Sequence, residues 1–112
     1  MGKLKTTGKP RQFATGAQRD SGEGKLRMSL VPHKALNDVM VRYIQGADTY
    51  GENNWKKGMK HSVLYDSTMR HLMQDFTGDD SEDHLGAALW NIMGMIWNRD
   101  NKPEMDDRKE YE

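Results

Sequence analysis

The stretch from Ser81 to Trp97 most constrains what this chain can fold into. Read as a helix, it places Leu85, Ala88, Leu89, Trp90, Ile92, Met93, Met95, Ile96 and Trp97 on nearly every face. A helix that is apolar most of the way round must be covered on several sides at once, by neighbouring helices or by another subunit. The rest of the chain predicts two such neighbours. Leu36, Val39, Met40, Tyr43, Ile44 and Ala47 recur at three- and four-residue spacing, which predicts a helix from just after Pro32 to about Tyr50, with Gly51 as its left-handed cap. Tyr65, Met69, Leu72 and Phe76 predict a second helix over Ser62–Phe76, with Ser62 as N-cap and Gly78 as terminator. The third helix is predicted to start near Ser81, where acidic residues suit the positive end of the helix dipole.

No strand pattern and no internal repeat stand out. The expected fold class is therefore all-α. Three helices make a thin bundle, and only 35% of the residues are hydrophobic. The bundle is expected to be completed by oligomerisation, as a homo-oligomer of two or four copies. Residues 1–29 read as a flexible basic arm, punctuated by Gly2, Gly8, Pro10, Gly16, Gly22 and Gly24 and poor in apolar residues. Residues 30–98 form the helical domain, and 99–112 a charged, frayed tail.

Lys+Arg and Asp+Glu balance at 17 each, which gives no overall bias toward nucleic acid or anionic membrane. Basic residues gather before Arg27 and acidic ones after Asp100. There is no cysteine, which excludes disulfides, thiolate catalysis and cysteine zinc sites. No apolar run approaches the roughly 20 residues of a membrane span, and the N-terminus lacks the apolar core of a signal peptide. A soluble, cytoplasmic protein is expected.

The third helix also carries polar residues. With Asp83 at zero, Asp80 lies at about 60°, His84 at about 100°, Ala87 at about 40°, Asn91 at about 80° and Gly94 at about 20°. Two readings fit this stripe. It faces solvent on an ordinary amphipathic helix, or it forms a site wall, with the small residues leaving room for a ligand. In the second reading Asp80 and Asp83 hold a hard cation such as Mg2+, Asn91 bonds a base or phosphate, and His84 acts as a general base. On the second helix, Asp66 and Arg70 form an i,i+4 pair, or Asp66 joins the metal while Arg70 and His71 meet phosphate. In the loop after Tyr50, Trp55 stacks on a purine and Asn54 reads its edge, or Trp55 plugs the bundle end. The four histidines lack zinc-site spacing, and no phosphate-cradling glycine motif or nucleophile elbow is present.

Several short motifs resemble one family. Gly16-Ala17-Gln18-Arg19-Asp20, Gly24-Lys25-Leu26-Arg27 and Leu30-Val31-Pro32 are similar to the opening of the phage dATP/dGTP diphosphohydrolase domain. Gly46-Ala47-Asp48-Thr49-Tyr50-Gly51 with Asn54-Trp55, then Arg70-His71-Leu72, Asp83-His84-Leu85 and Trp90-Asn91, continue the resemblance in order. It implies a MazG-like all-α fold and Mg2+-dependent (or Mn2+-dependent) hydrolysis of a purine deoxynucleoside triphosphate to monophosphate and pyrophosphate, in the cytoplasm of an infected host cell. Carried onto this chain, Asp83 and His84 are the catalytic candidates. Lys25, Arg27, Tyr50, Asn54, Trp55, Arg70, His71 and Asn91 are the substrate-binding candidates, and Asp66, Asp80 and Asp83 the metal candidates. MazG-like enzymes use a Glu-x-x-Glu pair that this chain lacks. Asp80-x-x-Asp83 stands in for their second acidic pair.

Three functions are therefore weighed. The first is a nucleoside triphosphate pyrophosphohydrolase. The second is a module that sequesters a nucleotide, or a signal derived from one, without cutting it. The third is a DNA-associated protein acting through its basic arm, which the balanced charge disfavours.

Overall fold

The computed structural model describes residues 8–112. They divide at Pro32 into two compact units, 8–32 and 33–112. Residues 1–7 of the expected basic arm lie outside the described residues.

The first unit is mostly exposed and holds one short hairpin. Arg11–Gln12 (β1) pairs antiparallel with Gln18–Arg19 (β2), Arg11 opposite Arg19 and Gln12 opposite Gln18. The connecting turn closes through Phe13 N–H to Ala17 C=O (3.0 Å) and Gly16 N–H to Phe13 C=O (2.9 Å). Gly16 takes φ +88°, a left-handed conformation that costs glycine little. Arg11 Nε donates to the Asp20 carbonyl at 2.9 Å, and a short 3-10 turn spans Met28–Leu30. A two-residue ladder is too short for alternation to signal it.

The second unit is all-α. Its helices are α1 (His33–Tyr50), α2 (His61–Phe76) and α3 (His84–Asn101), with short 3-10 turns at Asn54–Lys57, Pro103–Met105 and Arg108–Tyr111. α3 packs against both others, most extensively against α2. No helix among the described residues is long and apolar enough to cross a membrane. Gly51 closes α1 at φ +93°, its N–H on the Ala47 carbonyl at 2.9 Å. Gly78 closes α2, and Asp79 N–H reaches back to the Gln74 carbonyl at 3.0 Å.

Three expectations are corrected. First, α3 begins at His84, with Asp83 as N-cap: its carboxylate accepts the Gly86 N–H at 3.0 Å. Asp80 therefore sits in the preceding turn, and the helical angles drawn through Asp80 and Asp83 do not apply. Second, Ser62 is not the cap of α2. Lys60 holds that position without a side-chain bond, and Ser62 gives both its N–H and its hydroxyl to the Asp107 carboxylate. Third, the tail is not frayed, because that same bond ties it down. Within α3, Asn98 donates to the Met59 carbonyl at 3.0 Å and ties the helix to the segment before α2.

The packing is also inside out relative to the apolar stripes. The stripe read on α2, Tyr65, Met69, Leu72 and Phe76, is exposed. So are Leu85, Ile92, Met93 and Ile96 on α3. The face where α2 meets α3 is built from Leu64, Ser67, Thr68 and His71 against His84, Ala87, Asn91 and Gly94. Small residues let the two backbones approach. A Cβ on Gly94 would stand 3.4 Å from Leu64 Cδ1. Val39, Leu64, Ala87 and Ala88 are the buried apolar residues, a slight core for helices this apolar.

Candidate functional site

One face of each helix meets in a cleft of about 310 Å3. α1 contributes Arg42, Gln45, Gly46 and Thr49, which follow helical spacing, with Tyr50 at its end. α2 contributes Ser67 and His71, one turn apart, and α3 contributes Ala87, Trp90 and Asn91. A smaller apolar pocket of about 130 Å3 adjoins it and shares Gly46, Tyr50 and Trp90. Asn54 and Trp55 line this second pocket. A Cβ on Gly46 would meet no atom within 4 Å, so the wall common to both spaces is open there.

The cleft's polar end is organised by Arg42. Its guanidinium donates to Glu82 Oε1 at 2.8 Å and to the Asp83 carbonyl at 2.7 Å, which ties α1 to the turn before α3. Arg42 holds the Glu82 carboxyl below its ordinary range. Beside it, His71 Nδ1 and His84 Nδ1 stand 2.9 Å apart. His84 is 3% exposed, and its Nε2 is buried with no hydrogen-bond partner, 3.4 Å from Asp79 Oδ1. At that separation the carboxylate attracts the ring without forming a well-made bond. Asp79 is held down to about 2, chiefly by Ser81, whose N–H it accepts at 2.8 Å, with the His84 ring a lesser cause. Burial pushes the His71 imidazole below the ordinary histidine value, and Glu82 opposes this.

Asn91 spends both amide hydrogens on the protein, on Ser67 Oγ at 3.0 Å and the Ala87 carbonyl at 2.9 Å. Only its carbonyl oxygen is left for a ligand. The residue is 4% exposed, so the part of the stripe that lies on α3 faces the interior and not solvent.

The predicted site residues fall into three groups. Tyr50, His71 and Asn91 line the cleft, and Tyr50, Asn54 and Trp55 the adjoining pocket. Trp55 also anchors the bundle end, its ring edge-on to Tyr43 at 5.9 Å and to Trp97 at 5.1 Å. His84 and Asp83 stand behind the cleft, the one buried and the other occupied in capping α3. Lys25 and Arg27 are exposed on the first unit. Arg70 points to Ser67 Oγ at 3.4 Å, neither to Asp66 nor into the cleft.

The three metal candidates do not converge. Asp66 lines a separate cavity with Ser62, Tyr65 and Asp107, Asp80 is an exposed turn residue, and Asp83 is a cap. The carboxylate set therefore does not fit a Mg2+ ion. Among the described residues, the group of three whose ligand atoms lie within 4.8 Å of one another is His71, Glu82 and His84. Sequence reading missed Arg42, Ser67, Asp79 and Glu82. The polar run Arg42, Gln45, Gly46, Thr49 was a usable signal for the first of these. Ser67 and Glu82 make their contacts across the fold, which leaves no spacing in the sequence, whereas Asp79 meets Ser81 and His84 close by in the chain.

The family model described as dATP/dGTP diphosphohydrolase, N-terminal, matches residues 15–108. The chain is also similar to a dATP/dGTP diphosphohydrolase of Salmonella phage PMBT28, 30% identical over 100 residues that cover 85% of this chain and 33% of the relative. The chain thus spans about a third of the length of that curated relative. No solved structure matches.

Proposed function

The chain belongs to the dATP/dGTP diphosphohydrolase N-terminal family, and from that premise we propose that it binds a purine deoxynucleoside triphosphate in the three-helix cleft and hydrolyses it to the monophosphate and pyrophosphate. The observation that carries this reading is the pairing of a cationic cleft end at Arg42 with an adjoining apolar, aromatic pocket at Tyr50, Trp55 and Trp90. A base slots against the aromatic rings, Asn54 reads its edge, and the phosphates run past the open wall at Gly46 toward Arg42. Arg42 exchanges its Glu82 partner for phosphate oxygens, which its planar fork matches. Gln45, Thr49 and Ser67 supply neutral hydrogen bonds along the way. Water attacks the α-phosphorus, the bond to the bridging oxygen of the β-phosphate breaks, and charge gathers on the departing pyrophosphate, where Arg42 offsets it. Lys25 and Arg27 are further candidates for that role. No step is assigned to Mg2+, because Asp66, Asp80 and Asp83 do not meet.

The fold is read as MazG-like. The exposed stripes of α2 and α3 support self-association into a dimer or tetramer, since apolar patches of this extent are rare on a monomer. Light scattering on the eluting protein is expected to give a multiple of the 12.9 kDa chain mass. A monomer at micromolar concentration would contradict this.

The test is incubation with a panel of dNTPs and NTPs in Mg2+ or Mn2+, with products read by chromatography. Monophosphate plus pyrophosphate from dATP or dGTP is the expected result. The divided carboxylates favour one alternative, a module that holds a nucleotide without cutting it. Tight binding that survives EDTA would support that alternative, nucleotide recovered intact from Mg2+ and Mn2+ as well would reject the hydrolase, and metal-dependent loss of the nucleotide would reject the alternative.

A further inference from the structure

The cluster behind the cleft carries more than a scaffold needs. His84 is buried, its Nε2 lacks a hydrogen-bond partner, and a carboxylate stands 3.4 Å away. A bare Nε2 lone pair facing Asp79 would be repelled. The favoured tautomer therefore places a proton on Nε2, toward Asp79. His84 Nδ1 is then a lone pair aimed at His71 Nδ1, 2.9 Å away. That spacing is also what two ligands on one ion require. Nitrogens about 2.1 Å from a metal lie about 3.0 Å apart at the roughly 90° of an octahedral ion and about 3.4 Å apart at a tetrahedral angle, so the two rings need to open only slightly to admit either geometry. Glu82 completes a set of three whose ligand atoms lie within 4.8 Å of one another. Its side chain is 45% exposed, and Arg42 engages only one of its oxygens, so a small rotation brings the carboxylate in.

We propose that His71 Nδ1, His84 Nδ1 and the Glu82 carboxylate bind one transition-metal dication of the zinc, cobalt, nickel or manganese kind, with Asp79 accepting the His84 Nε2–H and fixing that ring. Two imidazoles and a carboxylate suit these metals, whereas Mg2+ holds to oxygen ligands. A carboxylate behind a metal-bound histidine is a recurring device that sets the tautomer and raises the basicity of the ligand. On binding, the His71 proton moves from Nδ1 to Nε2 through solvent, so the ring stays neutral and no net proton is released. Glu82 and Asp79 offset the charge of the ion and of Arg42. His71 also lines the cleft, so the metal would lie at its edge with its remaining coordination positions free of protein. The inference rests on the geometry of this cluster and stands whether or not the chain hydrolyses nucleotides.

The experiment uses the full chain, stripped of metal, with Co2+ or Zn2+ alone as the probe. One Co2+ per chain with nitrogen-ligand d–d absorption is expected, together with shifts of the His71 and His84 imidazole signals on adding Zn2+. Millimolar Mg2+ is expected not to displace either ion. Because His84→Ala would hollow the core, the decisive variants are His71→Ala and Glu82→Gln, each expected to weaken Zn2+ binding at least tenfold. Asp79→Asn is expected to weaken it by about 10- to 100-fold. Absence of binding by the unaltered chain, or unchanged affinity in both His71→Ala and Glu82→Gln, would overturn the site. Displacement by Mg2+ at equal concentration would overturn its metal selectivity. No nucleotide enters these measurements, so their failure leaves the hydrolase reading to its own assay.

Discussion

Asn91 links the packing of this fold to its cleft, and its replacement by alanine is a sharp test of the geometry. The amide donates to Ser67 Oγ across the α2–α3 seam and to the Ala87 carbonyl one turn back. Each buried bond is worth about 1 kcal/mol net. Ser67 can turn its hydroxyl to a carbonyl of its own helix, which recovers part of one bond, while the vacated amide volume adds a comparable cost. The sum is about 2 kcal/mol, or roughly 8–16 °C in Tm for a domain of this size. Urea and thermal unfolding followed by circular dichroism measure it. Asn91→Asp keeps the shape but presents a carboxylate to the Ala87 carbonyl. It should cost more than alanine at pH 7 and recover as acid protonates the new carboxyl into a donor. A loss below about 0.5 kcal/mol for Asn91→Ala, or no pH dependence in Asn91→Asp, would refute the assignment of both hydrogens to protein oxygens.

Other perturbations follow from the same contacts. Arg42→Ala should raise the KM or Kd for a triphosphate about tenfold or more, a charge-assisted contact being worth about 1.5–3 kcal/mol, and unchanged binding by calorimetry would remove Arg42 from the phosphate end. Gly94→Ala adds a methyl at ordinary contact distance from Leu64 inside a helix, so unfolding should show it stabilised by about 0.5–1 kcal/mol with nucleotide binding unaltered. Gly46→Ala should stabilise by a similar amount for the same reason, yet weaken nucleotide binding, because its methyl enters the open wall of the cleft. The Asp107 carboxyl lies below its ordinary value of 3.8, chiefly because Ser62 donates to it. A depressed acid stabilises the fold fully above its unfolded pKa and loses that stabilisation as pH falls through the folded one. Asp107→Asn should therefore lower Tm at neutral pH, and the gap should close in an acid titration that passes below 3.8.

Much of the helical scaffold was legible in the sequence. The spacing of Leu36 to Ala47 and the glycines at 51 and 78 locate α1 and the end of α2, because local backbone chemistry decides those features. What stayed illegible is decided across the fold. Acidic residues near Ser81 suit a helix start, but they cannot tell which of them becomes the cap, and that role fell to Asp83. Apolar periodicity finds the greasy face of α2 and says nothing about which face its own chain covers. Here the chain covers the face of Ser67, Thr68 and His71. His71 and His84 are separated by 13 positions in sequence, a spacing that suggests nothing until two antiparallel helices bring their rings together. Trp55 was readable as an anchor or a stacking surface, and it takes part in both the bundle end and the apolar pocket.

The bond between Asp107 and Ser62 has a consequence for how the chain is made. In the first turn of α2 the Val63 and Leu64 N–H groups reach the Lys60 carbonyl, but the Ser62 N–H is satisfied by a carboxylate emitted 45 residues later. During synthesis α2 can begin to coil and α3 can dock, but the entrance to α2 frays until Asp107 has cleared the ribosome. The start of α2 is thus closed by a residue 45 positions downstream. Unfolding from that end should open α2 and the tail together, as a single cooperative step in hydrogen exchange.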